Sequence, residues 1–338
     1  MFRRKFPDRP AKLPTRGVRL NVESLEDRVV PHGGITEFSA GITAGAAPTG
    51  IVLGPDSNFW FTEFGANAIG RITPAGVVTE FAVPGAGSGP VNIAVGPDGA
   101  LWFTQNSSDQ IGRITTAGAI TEFAVPGAGS NPNGIFAGPD GALWFTQSGS
   151  DQIGRITTAG VVTEFAVPGA GSTPSGITAG SDGALWFTQA GSGQIGRITT
   201  AGAVTEFLIP VPANGVSDPE GITSGPGGAL YFTDFGRDQI GRITTAGQIT
   251  QFNLQAGRGP HGIVATKDGD LYFTEAASGR IGRLPAASLI PGRPTSGSPP
   301  LEEFSFIPAG SVPLGITTDA NGDIWFTENA GKIGRAHV

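Results

Sequence analysis

Apolar residues in this chain come in short runs rich in Ile, Val, Phe, Trp and Thr, broken by clusters of Gly, Pro, Asp and Ser, and the runs recur in a fixed order. The fullest unit reads P-x-G-I-x-x-G-P-D-G-A-L-W-F-T-Q, then a short polar stretch, then Q-I-G-R-I-T-T-A-G and x-x-T-E-F-A-V-P. Runs of this length and composition bounded by turn residues predict β-strands, here four per unit and labelled a to d. Asp-Gly or Asn-Gly stands between strands a and b at Asp98-Gly99, Asp140-Gly141, Asp182-Gly183, Asp268-Gly269 and Asn321-Gly322. Such pairs accept the positive φ of a tight hairpin, so each unit predicts an antiparallel meander.

Ile-Gly-Arg occurs seven times, with its arginine at Arg71, Arg113, Arg155, Arg197, Arg242, Arg283 and Arg335, in steps of 42, 42, 42, 45, 41 and 52 residues. That period suits four-stranded propeller blades and exceeds leucine-rich or ankyrin units. The last unit stops at Val338 without a strand d, while an unpartnered I-T-E-F stands at Ile35, Thr36, Glu37 and Phe38. The expectation is an all-β, seven-bladed β-propeller of four-stranded antiparallel blades, closed by the N-terminal strand completing the last blade, which hides two sheet edges.

The propeller would occupy residues 33–338 as one domain, preceded by residues 1–32 as a basic leader or disordered tail. The first 31 residues hold eight Lys/Arg against four Asp/Glu, so the remainder is more acidic than the net charge of −7 of the whole chain. An acidic body argues against nucleic acid. No apolar run reaches the length of a membrane span, and the N-terminus lacks the apolar core of an ordinary secretory signal. Without cysteine, disulfides and thiolate chemistry are excluded. The 52-residue step holds a Pro/Ser/Gly-rich stretch at 285–300 that reads as a surface loop in the c–d hairpin of the sixth blade.

Chemistry is expected where the repeat departs from itself. In a propeller, strand a lines the central channel, and the start of a and the end of b, 14 residues on, are expected on one face. The first ring is Thr49, Val91, Asn133, Ser175, Glu220, His261 and Leu314; the second is Glu63, Gln105, Gln147, Gln189, Asp234, Glu275 and Glu328. Blades two to four are neutral in both rings, whereas the others supply Glu220, Asp234, His261, Glu275, Glu328 and Glu63, an acidic arc with one imidazole. Such oxygen donors suit a hard cation such as Mg²⁺ or Ca²⁺, with His261 as ligand or base. The alternative reading of the same residues is a solvated acidic rim. The repeated Trp60, Trp102, Trp144, Trp186 and Trp325 read as inter-blade core, and each Ile-Gly-Arg arginine is expected to pair with the glutamate of a T-E-F strand. His32 and His337 read as solvated, and no G-x-S-x-G elbow, H-E-x-x-H pair or phosphate loop is present.

Over residues 33–338, P-x-G-I-x-x-G-P-D-G-x-L-W-F-T-E followed by I-G-R-I-T-x-x-G-x-I-T-E-F resembles the streptogramin B lyase (virginiamycin B lyase) family. The resemblance implies a seven-bladed propeller and a Mg²⁺-assisted elimination that linearises cyclic depsipeptide antibiotics. It also implies histidines in the P-x-G-I slots of the last two blades, the seventh-blade one as general base, a tyrosine in the first slot and a glutamate after W-F in the seventh blade. His261 and Glu328 match. Leu314 stands in place of the base, Thr49 in place of the tyrosine, and Val312 where a metal-supporting glutamate would fall. Residues 19–31, R-L-N-V-E-S-L-E-D-R-V-V-P, resemble the leader, built around L-E-x-R-x-x-P, of predicted surface or exported proteins of planctomycete-type bacteria.

These readings predict a monomer, exported or at the cell surface, with little or no streptogramin lyase activity, binding a divalent cation, small molecule or glycan at an acidic channel mouth. The assignment is His261 catalytic, Thr49, Glu220 and Leu314 at the ligand, and Glu63, Asp234, Glu275 and Glu328 on the metal. Two alternatives stay open: a metal-dependent lyase or lactone hydrolase on another substrate, and an exported scaffold or binding propeller.

Overall fold

The computed structural model describes residues 34–211, 216–289, 301–304 and 310–338; the leader at 1–32 and most of the 285–300 stretch lie outside them. The described residues form seven four-stranded antiparallel sheets. The first blade runs through Pro48–Leu53, Phe59–Glu63, Ala68–Ile72 and Val78–Ala82, and the next five repeat this order. In the last, Pro313–Thr318, Ile324–Glu328 and Lys332–Ala336 are completed by Ile35–Phe38, with Ile35 opposite Ala336 and Phe38 opposite Ile333. The N-terminal strand thus closes the ring.

The a–b turns form as their residues dictate: Gly99 and Gly322 take φ of 74° and 99°, values open to glycine and strained for most side chains. Remaining helical segments among the described residues are single 3-10 turns, such as Pro226–Gly228, and no helix is long and apolar enough to cross a membrane.

The core lies between blades. Trp102 and Ile111 of the second blade pack with Ile135, Leu143, Phe145 and Ile156 of the third, and equivalent clusters recur around the ring. All five tryptophans are fully buried. Strand pairing assigns the two faces of each sheet. Trp102 lies opposite Arg113, which lies opposite Thr121; Phe103 lies opposite Gly112, which lies opposite Glu122. In blades two to four arginine and T-E-F glutamate therefore occupy opposite faces and do not pair, whereas in the sixth blade Arg283 meets Glu302, a strand-d glutamate standing at the threonine position. Arg113, Arg155 and Arg197 instead donate from Nε to the turn aspartates Asp98, Asp140 and Asp182 at 2.6–2.7 Å.

Candidate functional site

Strand a from all seven blades surrounds a cavity of about 300 Å³ on the propeller axis. The position of each wall residue is set by the threonine of W-F-T or its equivalent. Thr62, Thr104, Thr146, Thr188, Thr233, Thr274 and Thr327 donate, at 2.6–2.9 Å, to the carbonyls of Val91, Asn133, Ser175, Glu220, His261, Leu314 and Thr49. Every blade thereby pins the slot residue of the next, and Thr327 to Thr49 completes the circle. In six of the seven blades glycine follows the slot, and in the third it is what permits the close approach: a Cβ on Gly134 would sit 2.4 Å from the Ser175 carbonyl.

The first predicted ring is therefore a real wall. Thr49, Val91, Asn133, Ser175, Glu220, His261 and Leu314 all line the cavity, over a girdle of isoleucines that includes Ile135, Ile177 and Ile222. Glu220 and His261 are its ionisable lining residues. Ser175 Oγ donates to Glu220 Oε2 at 2.7 Å. Burial raises the Glu220 pKa, against the lowering effect of that hydrogen bond. Burial lowers the His261 pKa and favours neutral imidazole, while a ring hydrogen bond to the Leu314 carbonyl and the charge of Asp218 oppose it. A neutral imidazole carries one donor and one acceptor nitrogen.

The second ring is not part of this wall. Glu63, Asp234, Glu275 and Glu328 are fully exposed to neither solvent nor cavity, each having no accessible surface, and they sit in four separate blades. The expectation of one acidic arc at the channel mouth is corrected by the pleat of strand b. Thr62 faces the neighbouring blade's slot, so Glu63, one residue on, turns to the opposite face with Phe61. Asp234 accepts from Ser217 Oγ and the Asp218 amide, Glu275 from Ser278, and Glu328 from Ser311. Among the described residues, no three His, Asp or Glu side chains are grouped so as to hold a metal ion. A hard divalent cation takes about six oxygen ligands. Mg²⁺ keeps several of these as waters and is held by one or two carboxylates, so Glu220 beside His261 is the place in the cavity where the cation expected from the sequence would have to bind.

Three contributors escaped the sequence reading. The threonine belt looked like ordinary strand composition. Asn92 lines the cavity and donates to Asn133 Oδ1 at 3.1 Å; its signal was an asparagine in the one P-x-G-I slot that lacks glycine. Asp218 acts electrostatically on His261 from the segment entering the fifth blade and had no counterpart in the repeat to mark it.

Comparison with known proteins follows the same geometry. Virginiamycin B lyase from Staphylococcus aureus, solved with selenomethionine, is 38% identical, with a TM-score of 0.81, over 90% of this chain and 99% of that one. A catalytically inactive variant of the Staphylococcus aureus enzyme, solved with quinupristin, is 40% identical, with a TM-score of 0.82 and the same coverage. A streptogramin B lyase structure is 36% identical, with a TM-score of 0.82, over 90% of this chain and 98% of that one. A search of curated protein sequences finds no match. The sequence matches the profile of the virginiamycin B lyase family over residues 23–216 and 108–299, which together span most of the chain. The chain belongs to the virginiamycin B lyase family.

Proposed function

We propose that this protein binds a small molecule in its axial cavity and has little or no streptogramin lyase activity. The observation that carries this reading is Leu314. It lines the cavity at the seventh-blade slot, where the family resemblance calls for the proton-abstracting histidine, and an isobutyl group accepts no proton. Loss of a general base costs roughly 10²–10⁴ in rate.

The remaining wall favours a ligand that donates hydrogen bonds. His261 offers a neutral acceptor nitrogen and Glu220 the carboxylate oxygen that Ser175 leaves free, while Asn92 and Asn133 add amides and the isoleucines an apolar surface. A compact molecule carrying hydroxyl or amino groups beside an apolar face suits that combination. A second reading retains catalysis. His261 is neutral and half-buried beside Asp218, the state a base requires, which supports proton abstraction from a substrate other than a streptogramin.

The quinupristin complex of the relative makes that antibiotic the first ligand to test. Incubation of the unmodified protein with quinupristin should leave the ring closed when followed by mass spectrometry. Robust linearisation would overturn the reading from Leu314 and make His261 the leading candidate for the base. The combined variant Leu314→His, Val312→Glu and Thr49→Tyr should gain linearising activity if the register drawn from the resemblance is right.

A further inference from the structure

Each blade sets the residue ending strand b against the residue at the centre of strand d, and the contact is balanced differently around the ring. In blades two to four an amide donates to a carboxylate: Gln105 to Glu122, Gln147 to Glu164 and Gln189 to Glu206, at 2.9–3.0 Å. Blade five pairs Asp234 with Ser217 and the Asp218 amide, and its strand d carries Gln251 in place of the glutamate. Blades six and seven bring two carboxylates together, Glu275 with Glu303 and Glu328 with Glu37, and add a cation from the first residue of strand c. Arg280, helped by Arg258, meets Glu303, and Lys332 donates to Glu37 at 2.7 Å.

Blade one brings two carboxylates together and adds no cation. Opposite Glu63, where blades six and seven carry Arg280 and Lys332, stands Ala68, and on the other side stands Pro48. Glu63 is fully buried, and among the described residues neither of its carboxylate oxygens receives a hydrogen bond. The charged group facing it is Glu80, which lies within hydrogen-bonding range. Glu80 is itself committed as an acceptor: the Thr43 amide and hydroxyl each donate to it at 2.6 Å.

We propose that Glu63 is a proton-binding site, protonated in the native protein and donating to Glu80, so that a carboxylic acid completes in blade one the contact that an amide completes in blades two to four. The site is separate from the axial cavity and independent of what that cavity binds. Burial and then the charge of Glu80 push the Glu63 pKa up to about 8 from an ordinary value of 4.5. Between those values the folded protein holds a proton that the unfolded chain has released. The stabilisation is therefore complete below 4.5 and is lost as pH rises through about 8. Above that, the buried Glu63 carboxylate and the half-buried Glu80 carboxylate repel across strand c. Thr43, anchored on Glu80, lies between the closing strand Ile35–Phe38 and the start of blade one, so deprotonation loosens the segment through which the ring is closed.

The test compares thermal midpoints of the full chain and of Glu63→Gln from about pH 5 to about pH 10. Asp218, Glu220, Glu275 and Glu328 also have raised pKa values, but they titrate in both proteins and cancel in the difference. The glutamine variant, copying blades two to four, should gain on the unmodified protein as pH rises, by about 3 °C or more at alkaline pH. A difference that does not grow with pH overturns the proposal. Ala68→Lys, which copies Lys332, should flatten the same profile, and no change from it would count equally against. Infrared spectra of the unmodified protein near neutral pH should show a protonated carboxyl band that disappears on alkalinisation and is missing from Glu63→Gln; absence of that band refutes the bound proton. If MgCl₂ at about pH 6, where the proton is held, raises the midpoint of the unmodified protein but not of Glu63→Gln, a metal cation fills the place assigned to the proton, and the proposal fails.

Discussion

The carboxylate of Asp98 holds three groups of the second blade at once. It accepts from Trp102 Nε1 at 3.0 Å and from Arg113 Nε at 2.7 Å, and it also accepts from the Ala100 amide. Burial alone would raise its pKa, but these donors outweigh it and hold the carboxyl below the usual range. The guanidinium of Arg113 in turn lies 6.0 Å from the centre of the Trp102 ring. Blades three and four repeat the arrangement through Asp140 and Asp182. Because Trp102 is fully buried, removing its acceptor strands a donor in the core. Asp98→Ala should cost about 1–2 kcal/mol in urea unfolding. Most of that should come from the indole and the turn, since the ion pair is partly exposed: a double-mutant cycle with Arg113→Ala should give a coupling of about 1 kcal/mol or less. A larger coupling would show the arginine, not the tryptophan, to be the main beneficiary of the turn aspartate.

At the scale of the strand, alternation decides which residues can meet. Strand b turns Trp102 and Thr104 to one face and Leu101, Phe103 and Gln105 to the other, and strand c answers with Arg113 on the first face and Gly112 on the second. Gly112 is required by the ring it faces: a Cβ there would lie 2.1 Å from Phe103 Cζ, and Phe103 is fully buried with no room to retreat. Gly112→Ala should cost about 1–3 kcal/mol by overpacking. Gly99→Asn, in an open turn with φ of 74°, should stay within about 1 kcal/mol of the unmodified protein. Equal losses in urea unfolding would show that strand c yields to Phe103 more readily than this contact implies. The same alternation marks the limit of what the sequence disclosed. Blade number, turn positions, the closing strand and the wall formed by Glu220, His261 and Leu314 were legible because each is a matter of period and count. The environments of Glu63 and Arg113 were not, because they depend on the face on which a side chain stands. A spacing of 14 residues brings Thr49 and Glu63 to the same end of a hairpin but not to the same side of the sheet.

At the scale of the molecule, the seven blades form a ring only if the last meets the first, and two sets of contacts achieve this. One is the belt of threonines around the axis, closed by the hydrogen bond from Thr327 Oγ1 to the Thr49 carbonyl at 2.7 Å. The other is the strand Ile35–Phe38 at the rim, which pairs with Lys332–Ala336, brings Glu37 to Lys332, and stacks Phe38 5.5 Å from the ring of Trp325. Deleting residues 1–40 would keep the belt and remove the rim strand. The outer edge of Lys332–Ala336 would then be unpaired, the buried Ile333 and Trp325 would lose cover, and Lys332 would lose its carboxylate. The thermal midpoint should fall by about 10 °C, or the protein should associate through the open edge in light scattering. Deleting residues 1–31 leaves that strand in place and should leave the midpoint unchanged. If both truncations melt alike, the threonine belt alone holds the ring, and the N-terminal strand contributes pairing without closure.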